Sequence, residues 1–340
     1  MKKTWLLAAL FLLLGGGAWY ALHVKKNQSS TIQSPDMEFA VPNTDDIGKI
    51  FIAGRTGKTT ATLERKDGYW LYNGQYKARA SAMETLLETI QKVNVQSISA
   101  QVAEPRMVKS LAAEGIKVEI YDKKGQKMKC YYVGGVTNDE KGTFMIMENS
   151  ERPYVVHIPS FVGQLRVRYM LGDDLWRDRS IFAEKPEEIQ SVTVEYPQRK
   201  SDSFRMEKVK DGEYKVLPYF STTSPNATPQ RKGFCEGYLL KFENLQAEAF
   251  DSNNSERDSI SSLVPFAIIK LKRGNGEEQQ ARFWPVDVQQ KPGSNEWFTE
   301  RYFVEKNNTD FLVAQHTIFG ALFKPYNFFF EGGKQPRIRN

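Results

Sequence analysis

Few side chains in this chain have the chemistry of a hydrolytic site. There are three histidines and two cysteines, and two of the histidines, His157 and His316, lie near the ends of two similar regions. A histidine base needs a nucleophile and an orienting acid close by in space, and no motif of a known hydrolase class accompanies either residue. We therefore expect both histidines to be structural, with an unrecognised hydrolase as one alternative function.

A second candidate for chemistry is a glycine-rich segment, residues 54–59, which reads Gly-Arg-Thr-Gly-Lys-Thr. A phosphate-binding loop requires a glycine five positions before the final Gly-Lys pair, and Ile52 occupies that position. The segment also lies between two strand-like stretches rather than between a strand and a helix. A hairpin turn is predicted.

Three acids, Asp173, Asp174 and Asp178, could in principle ligate a hard cation. A calcium loop needs six or more oxygens at fixed spacings, whereas Arg177 and Arg179 are interleaved with these acids. We expect the arginines to pair with the acids and to clamp the junction between two domains. No metal, cofactor or catalytic residue is predicted.

The two cysteines, Cys130 and Cys235, lie in different kinds of element. Cys130 alternates with its neighbours in a predicted strand, and Cys235 falls on the apolar face of a predicted helix. Two buried, unpaired thiols are therefore expected rather than a disulfide.

Aromatic residues provide the remaining candidate sites. Residues 323–330 are unusually aromatic, and adjacent rings cannot all face one core if the segment is extended. Core packing of alternate rings is one interpretation, and a docking patch for a partner protein is the other. The docking hypothesis names Trp176, Arg177, Tyr326, Phe328, Phe329 and Phe330.

A different use of aromatic side chains defines a second alternative function. Trp284, Trp297 and Tyr302 could stack on sugar rings and bind cell-wall or surface glycan.

The composition limits the kind of protein that positions these residues. Charged residues make up 26% and apolar residues 40% of 340 positions, as in ordinary globular proteins. This excludes a disordered chain, a collagen and a polytopic membrane protein, and the length suggests about two domains. The net charge is +6, but basic and acidic residues are interleaved, so no nucleic-acid partner is predicted.

The N-terminus predicts one membrane-spanning segment. Residues 5–24 are mostly apolar, follow Lys2 and Lys3, and would form a helix long enough to cross a bilayer. A signal peptide cleaved after Ala18 is the alternative. Residues 1–26 are thus an anchor or uncleaved signal, 27–45 a linker and 332–340 a basic tail. The predicted location is the inner membrane, single-pass, with most of the chain in the periplasm and the lipid bilayer as a partner.

The remainder of the chain contains an internal repeat. Residues 47, 50 and 52 are matched at a constant offset by residues 189, 192 and 194, all Ile or Val. An Asp-Gly pair follows in each copy, at Asp67–Gly68 and Asp211–Gly212, and such a pair between alternating segments predicts a hairpin. Residues 144–150 align with residues 303–309, and each of these segments ends in a predicted turn.

An amphipathic helix repeats in the same way. Ser81 and Glu84 form a capping box that predicts the start of the first helix at Ser81. The apolar face recurs in both copies at one constant shift. Its members are Met83, Leu86, Leu87, Ile90 and Val93 in the first copy and Cys235, Tyr238, Leu239, Phe242 and Leu245 in the second.

These patterns predict an α+β fold. We expect a tandem duplication of an antiparallel-sheet module with a covering amphipathic helix, placed after one N-terminal transmembrane helix. The first copy should span residues 46–182 and the second residues 187–331.

The chain resembles the uncharacterised family known as domain of unknown function 4340. Four segments carry the resemblance: Lys66-Asp67-Gly68-Tyr69-Trp70-Leu71 ahead of Tyr76-Lys77-Ala78, the helix with Leu86-Leu87, Glu114-Gly115-Ile116 before Val118-Glu119-Ile120, and residues 175–182. Trp176 departs from the Phe or Leu expected there. The resemblance implies a membrane anchor, an extracytoplasmic region and an association with auxiliary components of gliding-type ABC transporters, mainly in Bacteroidetes and related Gram-negative bacteria. It brings no catalytic residues.

The function expected from these observations is non-catalytic. We expect a membrane-anchored periplasmic accessory or scaffold subunit of a membrane complex, with integral-membrane subunits of an ABC transporter as partners. Glycan binding and unrecognised hydrolysis are the two alternatives.

Overall fold

The chain forms two compact units that divide between Trp176 and Arg177. The structure, a computed structural model, describes residues 35–55, 60–98, 104–286, 288–290 and 297–332. The predicted anchor at residues 5–24 and all but the first position of the predicted tail lie outside these ranges. Within the described ranges, no helix has both the length and the apolar character needed to cross a membrane.

The first unit is built around a nine-stranded sheet in which every neighbouring pair of strands is antiparallel. Its strands are β1 (Ile47–Gly54), β2 (Thr60–Arg65), β3 (Trp70–Tyr72), β4 (Tyr76–Lys77), β5 (Asn94–Ile98), β6 (Ile116–Asp122), β7 (Lys127–Val136), β8 (Thr143–Met147) and β9 (Tyr154–His157). Their order across the sheet is β4-β3-β2-β1-β6-β7-β8-β9-β5.

The predicted hairpins are confirmed in this sheet. Of the segment that resembles a phosphate-binding loop, residues 56–59 lie outside the described ranges, and the strands on either side of it, β1 and β2, form an antiparallel pair. Asp67 and Gly68 join β2 to β3, and Gly68 adopts a φ of 77°, which favours glycine.

Helix α1 (Ala80–Lys92) packs on one face of this sheet. The predicted apolar face is confirmed, since Met83, Leu86 and Ile90 are buried in the core of the first unit. The predicted capping box is wrong, because the helix begins at Ala80 and Ser81 lies inside its first turn.

A second helix, α2 (Glu104–Glu114), lies on the opposite face of the sheet. Its buried residue, Leu111, packs against Gly134, where an added Cβ would be 2.7 Å from the leucine side chain. The sheet is therefore covered by helices on both faces, not on one. Two short helices end the unit: α3 (Arg166–Tyr169) and α4 (Asp173–Trp176).

Part of the predicted linker belongs to the core. Phe39 and Val41 are 1% and 3% exposed, and the Val41 backbone N–H donates to the carbonyl of Ile90 over 3.0 Å. Phe39 is aromatic and Val41 is β-branched, and both types are typical of a core segment. Ser, Thr, Pro and Asn dominate the rest of the predicted linker.

The second unit contains an eight-stranded antiparallel sheet and two small two-stranded sheets. Its strands are β10 (Ser180–Phe182), β11 (Ile189–Glu195), β12 (Phe204–Lys210), β13 (Glu213–Pro218), β14 (Leu245–Gln246), β15 (Ala249–Phe250), β16 (Ala267–Arg273), β17 (Glu278–Val286), β18 (Gln289–Gln290), β19 (Trp297–Phe298), β20 (Arg301–Lys306) and β21 (Asp310–Gln315). The order across the large sheet is β13-β12-β11-β16-β17-β20-β21-β15, and the small sheets are β10-β14 and β18-β19.

Three helices accompany these strands: α5 (Phe234–Leu239), α6 (Arg257–Ser262) and α7 (His316–Phe319). The predicted face from Cys235 to Leu245 is buried in the core of the second unit. Residues 180–182, which we assigned to the first copy, instead pair with β14 in the second unit. The predicted α+β class with mostly antiparallel sheets is confirmed.

Candidate functional site

Reactive side chains meet on the outer face of the first unit's sheet. Glu119 on β6 is the direct ladder partner of Cys130 on β7. Glu148 follows β8, and its backbone N–H donates to the carbonyl of Cys130 over 2.9 Å. One donor atom from each of these three side chains lies within 4.8 Å of the others. This outer-face cluster is the closest approach to a metal or nucleophile site that we find in the described part of the chain.

Strand alternation explains why these residues share a face. Cys130 and its neighbour Tyr131 point to opposite sides of β7, and Tyr131 is fully buried in the core with its hydroxyl 3.1 Å from that of Tyr169. Cys130 therefore belongs to the other face, where it is 4% exposed.

Lysines neutralise both carboxylates of the outer-face cluster. The Lys117 Nζ lies 2.7 Å from Glu119, and the Lys127 Nζ lies 2.6 Å from Glu148. These contacts lower the pKa of each carboxyl, because an ammonium partner favours the ionised form. The Tyr121 hydroxyl also donates to Glu119 over 2.8 Å.

The thiol of the cluster is kept protonated. Burial, and then the hydrogen bond to Glu148, raise the pKa of Cys130 to about 11. A metal ion would have to displace two ammonium groups and a proton to use these three donors. The arrangement is that of a structural polar network, not of an activated nucleophile.

We expect Cys130 to react slowly with iodoacetamide. At pH 8 a thiol with a pKa of about 11 is ionised ~100-fold less than one with the ordinary value of 9.0, and burial slows access further. The measurement is the alkylation rate of Cys130 by peptide mass spectrometry in the native and the urea-unfolded chain. A native rate within tenfold of the unfolded rate would contradict this account of the site.

Both cysteines are free and buried, as predicted. Cys235 lies on α5, and burial raises its pKa to about 12. The second thiol is thus also protonated at neutral pH.

The two candidate histidines lie in separate settings. His157 is the last residue of β9 and is half-buried. His316 begins α7, and its Nδ1 is 2.8 Å from the hydroxyl of the buried Tyr302. Burial lowers the pKa of His316 below its ordinary value, so the ring is neutral at neutral pH.

Arg177 and Arg179 bind groups of the second unit outside this segment. The Arg177 Nη2 lies 2.6 Å from Asp310, and Arg179 donates to the backbone carbonyl of Glu248. Asp173 accepts from the Tyr72 hydroxyl over 2.6 Å. Asp178 accepts from the hydroxyl of Ser180 over 2.7 Å. The pairing of these arginines with the interleaved acids at the junction stays a prediction.

Most of the predicted docking residues are interior residues. In the first unit Trp176 is 1% exposed. In the second unit Arg177 is 7% exposed and bound to Asp310, and Phe328 is partly buried. The remaining three are at most 4% exposed: Tyr326, Phe329 and Phe330. The core-packing interpretation therefore describes this aromatic segment, and the docking hypothesis does not hold for these buried side chains.

Two of the three predicted sugar-stacking residues are also interior. Trp284 is 3% exposed, and its Nε1 donates to the carbonyl of Leu263 over 3.1 Å. Tyr302 is 1% exposed. The side chain of Trp297 lies outside the described part of the structure.

Sequence reasoning missed an exposed apolar surface in the first unit. We name it the 162–175 surface, and its members are Val162, Val167, Met170 and Leu175. Val162 is 82% exposed and Leu175 is 45% exposed. The signal in the sequence is Arg166-Val167-Arg168-Tyr169-Met170, where apolar residues alternate with arginines.

The arginines of that segment explain why its apolar side chains are exposed. Arg166 donates to the backbone carbonyls of Val133 and Glu114 over 3.0 and 2.7 Å. Arg168 lies over the ring of Phe161 and donates to Glu88 over 3.2 Å. The charged groups are thus used inside the unit, and the apolar side chains between them face solvent.

The model of a family described as Domain of unknown function (DUF4340) matches residues 70–260. No curated protein and no solved structure matches the chain significantly.

Proposed function

Since the chain belongs to the DUF4340 family, we propose that it is a non-catalytic, membrane-anchored periplasmic accessory or scaffold subunit of a membrane complex. The expected complex is an ABC transporter, whose integral-membrane subunits are the proposed partners. Residues 5–24 are the proposed anchor in the inner membrane. The anchor would hold the two units at a fixed height above the bilayer.

The 162–175 surface is the observation that carries this proposal. Exposed apolar side chains in one short segment cost hydration free energy unless a partner covers them. Val167 lies on helix α3, and Met170 directly follows its last residue. Apolar anchors of this kind, surrounded by satisfied polar groups, are typical of protein interfaces.

The state of the reactive groups also supports a binding role. The outer-face cluster holds a protonated thiol and two neutralised carboxylates. His316 is bound to Tyr302. A catalytic thiol needs a lowered pKa, and other nucleophiles need a free general base beside them. The groups in this chain have the opposite properties.

We further propose that the two units arose by tandem duplication. The sequence β3-β2-β1-β6-β7-β8-β9-β5 in the first sheet corresponds, strand by strand, to the complete order of the second sheet. Ile50 pairs with Ile120 in the first unit, and Val192 pairs with Leu271 in the second. Each of these two strand pairs also has an irregularity directly after its first residue, Ile47 or Ile189.

The ladder registers support the predicted alignment of the later strands. Ile116 pairs with Val133 in the first unit as Ala267 pairs with Phe283 in the second. Val133 pairs in turn with Met145, and Phe283 pairs with Val304. Met145 therefore corresponds to Val304, which is the offset of our alignment of residues 144–150 with 303–309.

The proposed role is tested by changing the 162–175 surface. Val167→Glu combined with Leu175→Glu places two charges on the apolar contact, so recovery of partner subunits should fall at least tenfold. The measurement is affinity purification of the full chain from detergent-solubilised membranes, with mass spectrometry of co-purifying ATPase and permease subunits.

The matched control is Val209→Glu, a 60% exposed valine of the second unit. It should leave partner recovery unchanged, and all variants should accumulate to the level of the parent chain. Equal recovery with the double variant and the control would contradict the proposed surface. Retention of the chain on peptidoglycan without any membrane subunit would favour the glycan alternative instead.

A further inference from the structure

A groove on the outer face of the first unit has the shape and chemistry of a ligand site. It has a volume of about 480 Å³, which lies within the range of small-molecule pockets. Val108 and Ala112 of α2 form one wall, and Ala53 of β1 forms the other. Tyr132 and Ile146 line it from the neighbouring strands.

Small residues keep this groove open. Ala53 and Gly54 on the strand side face Ala112 and Gly115 on the helix side. Leu111, which also lines the groove, packs against Gly134 of β7. The helix therefore covers β7 and β8 closely and leaves a gap above β1.

The second unit differs at the matching position. By ladder register Tyr132 corresponds to Arg282. Ile146, the ladder partner of Tyr132, corresponds in the same way to Glu305, the ladder partner of Arg282. The second unit therefore has an ion pair at the place where the first unit has the half-buried Tyr132 and the apolar Ile146 that line the groove.

Both charged residues of the groove are cationic. Lys117 is paired with Glu119 at 2.7 Å, whereas Arg55 is exposed and has no ion-pair partner among the described residues. An apolar channel with one uncompensated guanidinium at its end suits a ligand with an apolar body and one anionic end.

We propose that this groove binds a free fatty acid, with its single acyl chain between α2 and β1 and its carboxylate at Arg55. The apolar walls supply the hydrophobic term, and the guanidinium supplies a charge-assisted hydrogen bond. The volume suits one acyl chain and not the two chains of a phospholipid. The groove and the 162–175 surface have no residue in common, so this proposal does not depend on the partner proposed above.

Photolabelling in membranes tests this site with the full chain. Two probes carry a diazirine at the end of a twelve-carbon chain, one with a carboxylate and one with an alcohol. We expect the carboxylate probe to label peptides that contain Val108 or Ala112. Excess laurate should compete for this labelling, and dodecyltrimethylammonium should not.

Three variants separate the parts of the site. Ala112→Trp fills the groove and should lower labelling by both probes at least tenfold; Ala112 is exposed, so the larger side chain can be accommodated. Arg55→Glu should lower labelling by the carboxylate probe at least tenfold and leave the alcohol probe within twofold. Arg106→Glu, an exposed residue on the same helix outside the groove, should change neither.

Several outcomes would overturn the proposal. They are labelling that persists in Ala112→Trp, an equal loss of both probes in Arg55→Glu, competition by the cationic amphiphile, and absence of labelling in the parent chain. Hydrogen exchange of the β1–β6 peptides checks that each variant is folded. If Ala112→Trp fails this check, Val108→Phe takes its place as the groove-filling variant with the same expected loss.

Discussion

Trp176→Ala is expected to lower the free energy of unfolding of the first unit by about 3–5 kcal/mol. Trp176 is 1% exposed and belongs to the core of that unit. Its ring stacks on that of Tyr72 at a centroid distance of 6.4 Å. Truncation removes the largest fully buried side chain among the described residues and leaves a cavity that the surrounding sheet cannot close.

The measurement is urea unfolding of the full chain, followed by hydrogen exchange in peptides of the first unit. Leu175→Ala is the matched control, because Leu175 is the adjacent residue and is 45% exposed. It should change the unfolding free energy by at most about 0.5 kcal/mol. If Trp176→Ala changed the unfolding free energy as little as Leu175→Ala but lowered the recovery of partner subunits, Trp176 would be a docking residue.

Local patterns in the sequence predicted much of the fold. The Asp-Gly turns at Asp67 and Asp211 require a residue that tolerates positive φ, and Gly68 and Gly212 adopt 77° and 72°. The helical spacing of apolar residues identified the buried face of α1. These signals are local, because each depends on backbone sterics or on a period of 3.6 residues.

The start of α1 could not be predicted from the sequence, because a tertiary contact sets it. The backbone N–H of Arg79 donates to the carbonyl of Trp176 over 2.7 Å, which fixes Arg79 as the residue before the helix. The N–H groups of Ala82 and Met83 then both bond to the Arg79 carbonyl. Ser81 is left two residues past the N-cap position, where it cannot act as the cap.

The packing of the aromatic end of the second unit could not be predicted for a different reason. Our docking hypothesis assumed an extended segment, in which adjacent rings point to opposite sides. Residues Tyr326–Phe329 instead form a 3-10 helix. Phe329 then contacts Phe204 and Tyr238 at centroid distances of 4.8 and 5.3 Å. Backbone conformation therefore decides how many of these rings are buried.

The outer-face cluster and the 162–175 surface were not predictable for a third reason. Glu119, Cys130 and Glu148 meet only through the register of β6, β7 and β8. A single sequence does not specify that register without an alignment of homologues. Likewise, the exposure of Val167 depends on where Arg166 and Arg168 find their partners.

The registers also reveal what replaces the outer-face cluster in the second unit. Cys130 pairs with Glu119 in the first unit as Gln280 pairs with Lys270 in the second. The backbone N–H of Glu148 donates to the carbonyl of Cys130, and that of Asn307 donates to the carbonyl of Gln280, over 2.9 Å in each unit. Cys130 therefore corresponds to Gln280 and Glu148 to Asn307. One location thus holds a thiol beside a carboxylate in one unit and two neutral amides in the other.

Glu305→Ala is expected to destabilise the second unit by about 3 kcal/mol. Glu305 is 6% exposed, forms an ion pair with Arg282, and has the hydroxyl of Ser261 at 3.5 Å. Without the carboxylate, the largely covered Arg282 guanidinium retains Asn308 at 3.2 Å but loses its counter-charge. The cost arises mainly from this uncompensated charge, because the pair itself contributes little net stability.

Three variants distinguish the loss of one charge from the loss of both. Unfolding free energies are compared for Glu305→Ala, Glu305→Gln, and the double variant Arg282→Met with Glu305→Leu. The glutamine variant keeps an acceptor for Arg282, so its loss should be smaller than that of alanine. The double variant removes both charges and should recover most of the stability lost in Glu305→Ala. A double variant as unstable as Glu305→Ala would mean that the pair is needed for its own attraction.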